Sequence, residues 1–370
     1  MTDIQHIVIA GSGILGLTTA WTLAENLSPA QNIKITVIGE YGPHCSNMNI
    51  SMTSSNKYTS PWAGAHFRPF PSKSATEYSE MKLTRSTLAK FKEISQLFPE
   101  STIRFVKGIE VLESPDEYYR NVKPGWKEGI DGFKVTRNGN GGDGVMEAEY
   151  ETWILNAPMY LQFIYRKLLI EYNVNFMKFR LKSLDQINDL FQENPVVIVN
   201  CTGTGLQYRG GYDPECYPIR GQTLLINPPK DCPYMDKTIT YQLKDGSWSF
   251  VIPRPLNGGV ILGGMKQVGD SFLGINEEDT EKLVEMGKKY FPGLMKTDKS
   301  GGKPYFEILN VNVGLRPARK SGLNISVEKH EHNYVIHNYG AGGMGYELSY
   351  GASVKVYEKL LEIIGRNVHL

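Results

Sequence analysis

The sequence predicts an α/β fold in which a parallel-sheet unit is interrupted by a second α+β unit built on a large antiparallel sheet. Three observations carry this prediction. The chain opens on a short apolar strand, a glycine turn and a helix. It closes on the same device, and between the two lie runs of alternating apolar and polar residues. With 370 residues the chain is long enough for two domains sharing one body, since single cores seldom grow past about 250–300 residues.

Ile7 to Ala10 reads as a buried parallel strand. It meets Gly11-Ser12-Gly13-Ile14-Leu15-Gly16 and runs into a helix marked by Ile14, Leu17, Ala20, Trp21 and Ala24. Gly11 permits the tight turn, Gly13 lets the backbone approach a pyrophosphate, and Gly16 lets the helix sit close on the strand. The helix N-terminus then offers free N–H groups to the phosphates. A second strand, Ile33 to Ile38, leads to Glu40, 24 residues past Gly16 and close to where an acidic side chain binds a ribose 2′-hydroxyl. Strand, turn, helix and strand in that order favour an N-terminal dinucleotide site over an ordinary β-turn-α unit.

A polar stretch from Cys45 to Thr59 leads into Ser60-Pro61-Trp62-Ala63-Gly64-Ala65-His66, whose small residues suit close packing against a flat ligand. Residues 76–97 read as a helix; Ile103 to Glu151 read as short β-type runs with a mobile surface loop at Asn138-Gly139-Asn140-Gly141-Gly142. Pro158 marks the first turn of a helix, and Val174 to Phe179 and Val196 to Val199 follow as strands, the second entering Asn200-Cys201-Thr202-Gly203. Tyr217 to Thr223, Phe250 to Pro255 and Gly259 to Gly264 alternate as antiparallel strands do. Asp279 to Tyr290 reads as a helix, Tyr334 to His337 as a last strand, and Tyr350 to Ile364 as the closing helix. The resulting division places 1–60, 152–215 and 306–370 in one domain, 61–151 and 216–305 in the other.

Lys and Arg number 40 against 39 Asp and Glu, a net charge of +1, which argues against nucleic acid or an acidic membrane as the main partner. No apolar run approaches a membrane span or a signal-peptide core. The four cysteines form no C-x-x-C pair, so reduced thiols in an intracellular protein are expected and a zinc site is not.

Taken together, these motifs resemble the D-amino-acid oxidase and D-aspartate oxidase family of FAD enzymes, its yeast and fungal members above all. The resemblance spans nearly the whole chain. It rests on the turn at 11–16, Ser60-Pro61-Trp62-Ala63-Gly64-Ala65, Asn200-Cys201-Thr202-Gly203, Ile219-Arg220-Gly221-Gln222, Ile252-Pro253-Arg254-Pro255, Val313-Gly314-Leu315-Arg316-Pro317 and Val335-Ile336-His337-Asn338-Tyr339-Gly340. Ser353 departs from the usual alanine of the C-terminal signature. The resemblance implies FAD held in extended form by a Rossmann-like domain, with a second domain covering the flavin face. It implies cofactor contacts at Gly11, Ser12, Gly13, Ile14, Leu15, Gly16, Glu40, Ser60, Ala63, Gly64, Ala65, Leu181, Thr202, Gly203 and Arg316, and at Gly342, Gly343, Met344, Gly345, Tyr346 and Glu347. The implied reaction moves a hydride from the Cα of a D-amino acid to flavin and yields a 2-oxo acid, ammonia and, with dioxygen, hydrogen peroxide. Such chemistry needs orientation rather than a protein nucleophile. Arg316 matches the arginine that holds the substrate α-carboxylate, a task suited to a guanidinium fork.

Two positions bear on the choice of substrate. Phe250 stands where D-amino-acid oxidases typically carry a tyrosine. Lys266 stands where D-aspartate oxidases place a basic residue, and Lys244 matches a second such position across a gap. A side-chain carboxylate entering a low-dielectric pocket needs a cation, so acidic D-amino acids, D-aspartate above D-glutamate, are expected. With Lys266 in solvent, the same resemblance implies a broad D-amino-acid oxidase; a flavin- or NAD-binding protein without turnover is a third reading. NAD is disfavoured because the C-terminal glycine turn would have nothing to hold. His66 and Arg68 follow the small-residue turn toward the same pocket. The tail Val368-His369-Leu370 is an imperfect version of a peroxisomal tripeptide. A homo-oligomer is compatible with the sequence but not specified by it.

Overall fold

The computed structural model describes residues 6–27, 33–45, 57–138, 144–191, 197–297 and 302–368. The expected glycine loop and the end of the C-terminal tail therefore lie largely outside the described residues. In chain order the elements are β1 (His6–Ala10), α1 (Ile14–Asn26), β2 (Lys34–Gly39), α2 (Ala75–Leu97), β3 (Arg104–Leu112), α3 (Glu117–Arg120), β4 (Lys134–Asn138) and β5 (Met146–Ile154). Then come α4 (Ala157–Ile170), β6 (Asn175–Lys178), α5 (Gln186–Leu190), β7 (Val197–Asn200), β8 (Cys216–Ile226), β9 (Lys237–Gln242), β10 (Trp248–Pro253) and β11 (Val260–Gly263). The chain ends with β12 (Gln267–Val268), α6 (Glu277–Tyr290), β13 (Ile308–Arg319), β14 (Val327–Lys329), β15 (Tyr334–His337) and α7 (Gly345–Val368).

The strands form two sheets. The smaller runs β14-β15-β7-β1-β2-β6, parallel throughout except for the β14–β15 hairpin. Alternation explains its burial: Ile7 and Ile9 face one side, where α1, α4 and α7 pack, while Val8 and Ala10 face the other, against Leu184, Ile187 and Leu206. Both faces are covered, so its inner strands read as continuous apolar runs. The strand order reverses beside β1, and in such sheets ligands bind outside the carboxyl ends of the strands at that point.

The larger sheet contains β3, β4, β5, β8, β9, β10, β11, β12 and β13. It is antiparallel except where β3 pairs parallel to β9. One face carries Leu224, Ile226, Val251, Val260 and Leu262 onto α6 and Phe291. The opposite face carries Leu225, Ile252 and Ile261 toward the rest of the molecule. There Arg254 donates from Nη2 to the carbonyls of Pro61 (3.0 Å) and Ala63 (2.8 Å), pinning the small-residue turn over the sheet.

Three features depart from the sequence reading. The closing helix starts at Gly345, five residues earlier than expected, because the glycine turn feeds straight into it. The segment 103–151 holds two long, fully paired strands, β3 and β5, rather than short runs. Within the stretch 306–370, β13 pairs with β8 from Ile308 to Arg319 and so belongs to the large sheet, whereas β15 returns to the small one. Among the described residues no helix is long and apolar enough to cross a membrane.

Helices α1 and α2 both pack on α7, and the α2–α7 crossing has no spare room. The Gly351 N–H donates to Thr87 Oγ1 (3.1 Å), and a Cβ there would overlap the backbone of Leu83. Gly351→Ala is expected to destabilise the fold by about 1–3 kcal/mol, the scale of overpacking, read as a lower urea midpoint.

Candidate active site

A cavity of about 1250 Å³ opens at the carboxyl ends of β1, β2 and β7 and runs across to the large sheet. Of the residues expected at the cofactor and substrate positions, all but Gly16 line it. Gly16 lies beneath: a Cβ there would overlap the Gly11 carbonyl, so it sets the close approach of α1 to the turn. Gly11 has φ +108°, and a Cβ on it would overlap the Cys201 carbonyl.

At the end of the cavity nearest β1, Gly13 caps α1 without a side chain and the first turn holds no acid. Such a helix end suits an anion. The Ile14 N–H donates to Ser60 Oγ at 3.1 Å. Glu40 lines the same end with Tyr41 and Leu181, and Arg180 stands 3.5 Å from its carboxylate. The Thr202 hydroxyl is spent inside its own turn, donating to Asn200 Oδ1 (2.7 Å) and accepting from the Leu206 N–H (2.8 Å). Its N–H donates to the same Asn200 Oδ1 (3.3 Å) and its carbonyl accepts from the Thr204 N–H (3.0 Å), which leaves the methyl group for a ligand.

One short segment ties this end to the others. Tyr58 donates to the Ser12 carbonyl (2.9 Å), Thr59 to that of Leu315 (2.7 Å), and Tyr346 to that of Ser60 (2.9 Å). The glycine turn, β13 and the start of α7 are thereby held in one frame. Gly342, Gly343, Met344 and Gly345 line the cavity beside Tyr346 and Glu347. Glu347 Oε2 accepts the Arg68 N–H at 3.3 Å. Burial pushes its carboxyl up to about 7, against the opposing pull of Arg68 and Arg85.

The large sheet supplies the far wall. Arg316 projects from β13 across Gly221 of β8, where a Cβ would overlap the guanidinium. Its Nη1 donates to the Met265 carbonyl at 3.2 Å, and among the described residues it has no carboxylate partner. Burial lowers its proton affinity, which is the sign of a cation without compensation. Phe250 lies with its ring against Gly263 and Gly264. Lys266 and Lys244 are exposed residues on the cavity wall, and neither ammonium has an ion-pair partner among the described residues. His66 is held neutral, its pKa pushed down to about 3 by burial and by Arg68, and its Nδ1 has no partner. Arg68 is pinned: Nη1 meets Glu110 Oε1 at 2.8 Å and the guanidinium lies 4.3 Å from the Trp248 ring centre.

Trp248, Gln242 and Asn312 also line the cavity, and the sequence reading did not single them out. Asn312 is buried with its Nδ2 unpartnered. Strand parity would have found two of them: Asn312, Gly314 and Arg316 share one face of β13, and Trp248 and Phe250 one face of β10. Among the described residues no group of His, Cys, Asp and Glu is arranged to hold a metal ion.

The family described as FAD dependent oxidoreductase matches residues 6–357. A D-amino-acid oxidase of Schizosaccharomyces pombe is 35% identical, over 95% of this chain and 94% of that one. A D-aspartate oxidase of Talaromyces thermophilus is 33% identical, over 96% of this chain and 95% of that one. Among solved structures, glycine oxidase from Bacillus cereus aligns with a TM-score of 0.66 at 15% identity, covering 97% of this chain and 95% of the other. The chain belongs to the FAD-dependent oxidoreductase family of D-amino-acid oxidases, and FAD is its cofactor.

The raised carboxyl of Glu347 has a consequence for stability. Its favourable contribution is full below the unfolded value near 4.5 and is lost as pH rises through about 7. Glu347→Gln is therefore expected to unfold within a degree of wild type at pH 5 and a few degrees higher at pH 8, as read by thermal melting of the purified flavoprotein.

Proposed function

We propose that this family member oxidises short acidic D-amino acids, D-aspartate first and D-glutamate second, to the 2-oxo acid, ammonia and hydrogen peroxide. The observation that carries the reading is a surplus of positive charge: Arg316, Lys266 and Lys244 face one cavity, and none has a carboxylate partner among the described residues. A monocarboxylate would answer only one of these cations, and a dicarboxylate answers two. Asn312, with its free Nδ2, adds a neutral donor on the same wall.

We place the pyrophosphate of FAD at Gly11–Leu15 and the α1 N-terminus, a ribose at Glu40, and the ring system between Ala63–Ala65 and the turn at 342–347. FAD held by these residues would supply a two-electron acceptor for the hydride on the substrate Cα, with dioxygen as the final oxidant. The chain does the rest by position and charge. Arg316 presents two parallel donors to the α-carboxylate, fixing the substrate by its acid end. Lys266 and Lys244 draw the distal carboxylate and disfavour large apolar side chains. The same cations lower the proton affinity of the substrate amine, so that it loses its proton before oxidation. Phe250 contributes an apolar wall without a hydroxyl, and neutral His66 adds no charge. The leaving imino acid is hydrolysed by water outside the site.

A broad D-amino-acid oxidase is the second reading, favoured by the exposure of Lys266 and by relatives bearing both names. Steady-state peroxide formation from D-aspartate and D-alanine decides between the specificities. We expect wild type to prefer D-aspartate and Lys266→Ala to lose at least about tenfold of that preference, the scale of one charged hydrogen bond. A wild-type preference for D-alanine, little altered in Lys266→Ala, would establish the broad oxidase instead.

A further inference from the structure

Arg220 and Gln222 alternate with Ile219 and Gly221 on β8. Ile219 and Gly221 line the cavity, so Arg220 and Gln222 point away from it, toward α6. Arg220 is fully buried, and its guanidinium has five N–H groups. Nε donates to the Phe272 carbonyl (2.9 Å). Nη1 donates to Gln267 Oε1 (2.6 Å) and Asp279 Oδ2 (3.0 Å), and Nη2 to Gln222 Oε1 (2.7 Å) and the Gly274 carbonyl (2.8 Å). Gln267 closes the ring by donating from Nε2 to Asp279 Oδ2 (3.0 Å). One side chain thus gathers the whole loop 267–279 onto β8.

The loop so gathered begins beside Lys266. Gln267 pairs with Arg220 through the β12–β8 ladder as well as through its side chain. On the other side of Lys266, the Met265 carbonyl accepts from Arg316. Lys266 is therefore bracketed by two arginines of opposite task. Arg316 is charged, unpaired and turned to the cavity; Arg220 is neutralised by Asp279 and turned away, so it adds no charge to the pocket.

We infer that Arg220, Asp279 and Gln267 form a positioning assembly for substrate choice, which fixes the 265–267 backbone and so sets the span from the Lys266 ammonium to the Arg316 fork. The inference rests on the reading of Lys266 as the distal-carboxylate cation. Such a span favours one length of dicarboxylate, and loosening it costs the acidic substrate without touching a neutral one.

Gln267→Leu removes both amide contacts and leaves the Arg220–Asp279 pair intact. For this variant the KM for D-aspartate is expected to rise about fivefold, the worth of about one hydrogen bond. Its kcat and its KM for D-alanine stay within about twofold, and the preference for D-aspartate over D-glutamate narrows. In the Lys266→Ala background the same substitution leaves the KM for D-aspartate unmoved, because a positioning effect has nothing left to position. Equal shifts for D-aspartate and D-alanine, or full additivity with Lys266→Ala, would overturn the inference and make the assembly a stabiliser of the fold. If D-aspartate preference depends on Lys266 but is indifferent to Gln267→Leu, the positioning inference alone fails. A wild type that prefers D-alanine defeats it together with the reading beneath it. Should the leucine variant fail to accumulate as a yellow protein, Gln267→Asn, one methylene shorter, serves the same comparison.

Discussion

A half-buried guanidinium without a carboxylate is the feature on which the site depends. Removing an ion from water costs several kcal/mol unless hydrogen bonds and an opposite charge replace the solvent. Arg316 receives one carbonyl, from Met265, and no acid among the described residues. The fold makes room for it by placing Gly221 opposite and holds its strand by pairing eleven of its residues with β8. The missing counter-charge is then supplied by whatever binds. An α-carboxylate gains from this site what the protein alone lacks, and that difference is the source of affinity.

The cofactor end obeys a different constraint, close approach of backbone to backbone. Gly11 against the Cys201 carbonyl and Gly16 against the Gly11 carbonyl leave no space for a Cβ. The frame at Tyr58–Ser60 transmits that geometry to both other parts of the site. Its three hydrogen bonds join the glycine turn, the arginine strand and the C-terminal helix, which are far apart in sequence. Errors in one part are thereby errors in all three, and hydride transfer is sensitive to displacements of an ångström or less.

Much of this was legible in the chain. The apolar run from Ile7 and its glycines carry a local signal, since strand, turn and helix are each encoded by adjacent residues, and β1 and α1 form where the sequence placed them. Long-range pairing is not encoded that way. The stretch from Ile308 sits in a C-terminal region that otherwise belongs to the small sheet, and only its partner β8 decides that it joins the large one. The helix start at Gly345 was hidden because glycines read as loop until a cavity gives their open N–H groups a purpose. Lys266 was identifiable as a candidate, yet its place on the cavity wall depends on the buried arginine of the neighbouring strand, whose partners are spread from Gln222 to Asp279. Trp248 and Asn312 went unread for a simpler reason: their parity with Phe250 and Arg316 matters only once those two are known to face a ligand.

Binding of an unreactive dicarboxylate tests the central claim most directly. Succinate and butyrate have the same chain length, differ by one charge and undergo no oxidation, and succinate spaces its carboxylates as D-aspartate does; their binding is read from the perturbed absorbance of the bound flavin. Succinate is expected to bind wild type at least about tenfold more tightly than butyrate, the scale of one hydrogen bond to a charged group, and Arg316→Met to lose affinity for both. Equal affinities in wild type, or an Arg316→Met variant that still binds succinate as wild type does, would contradict this.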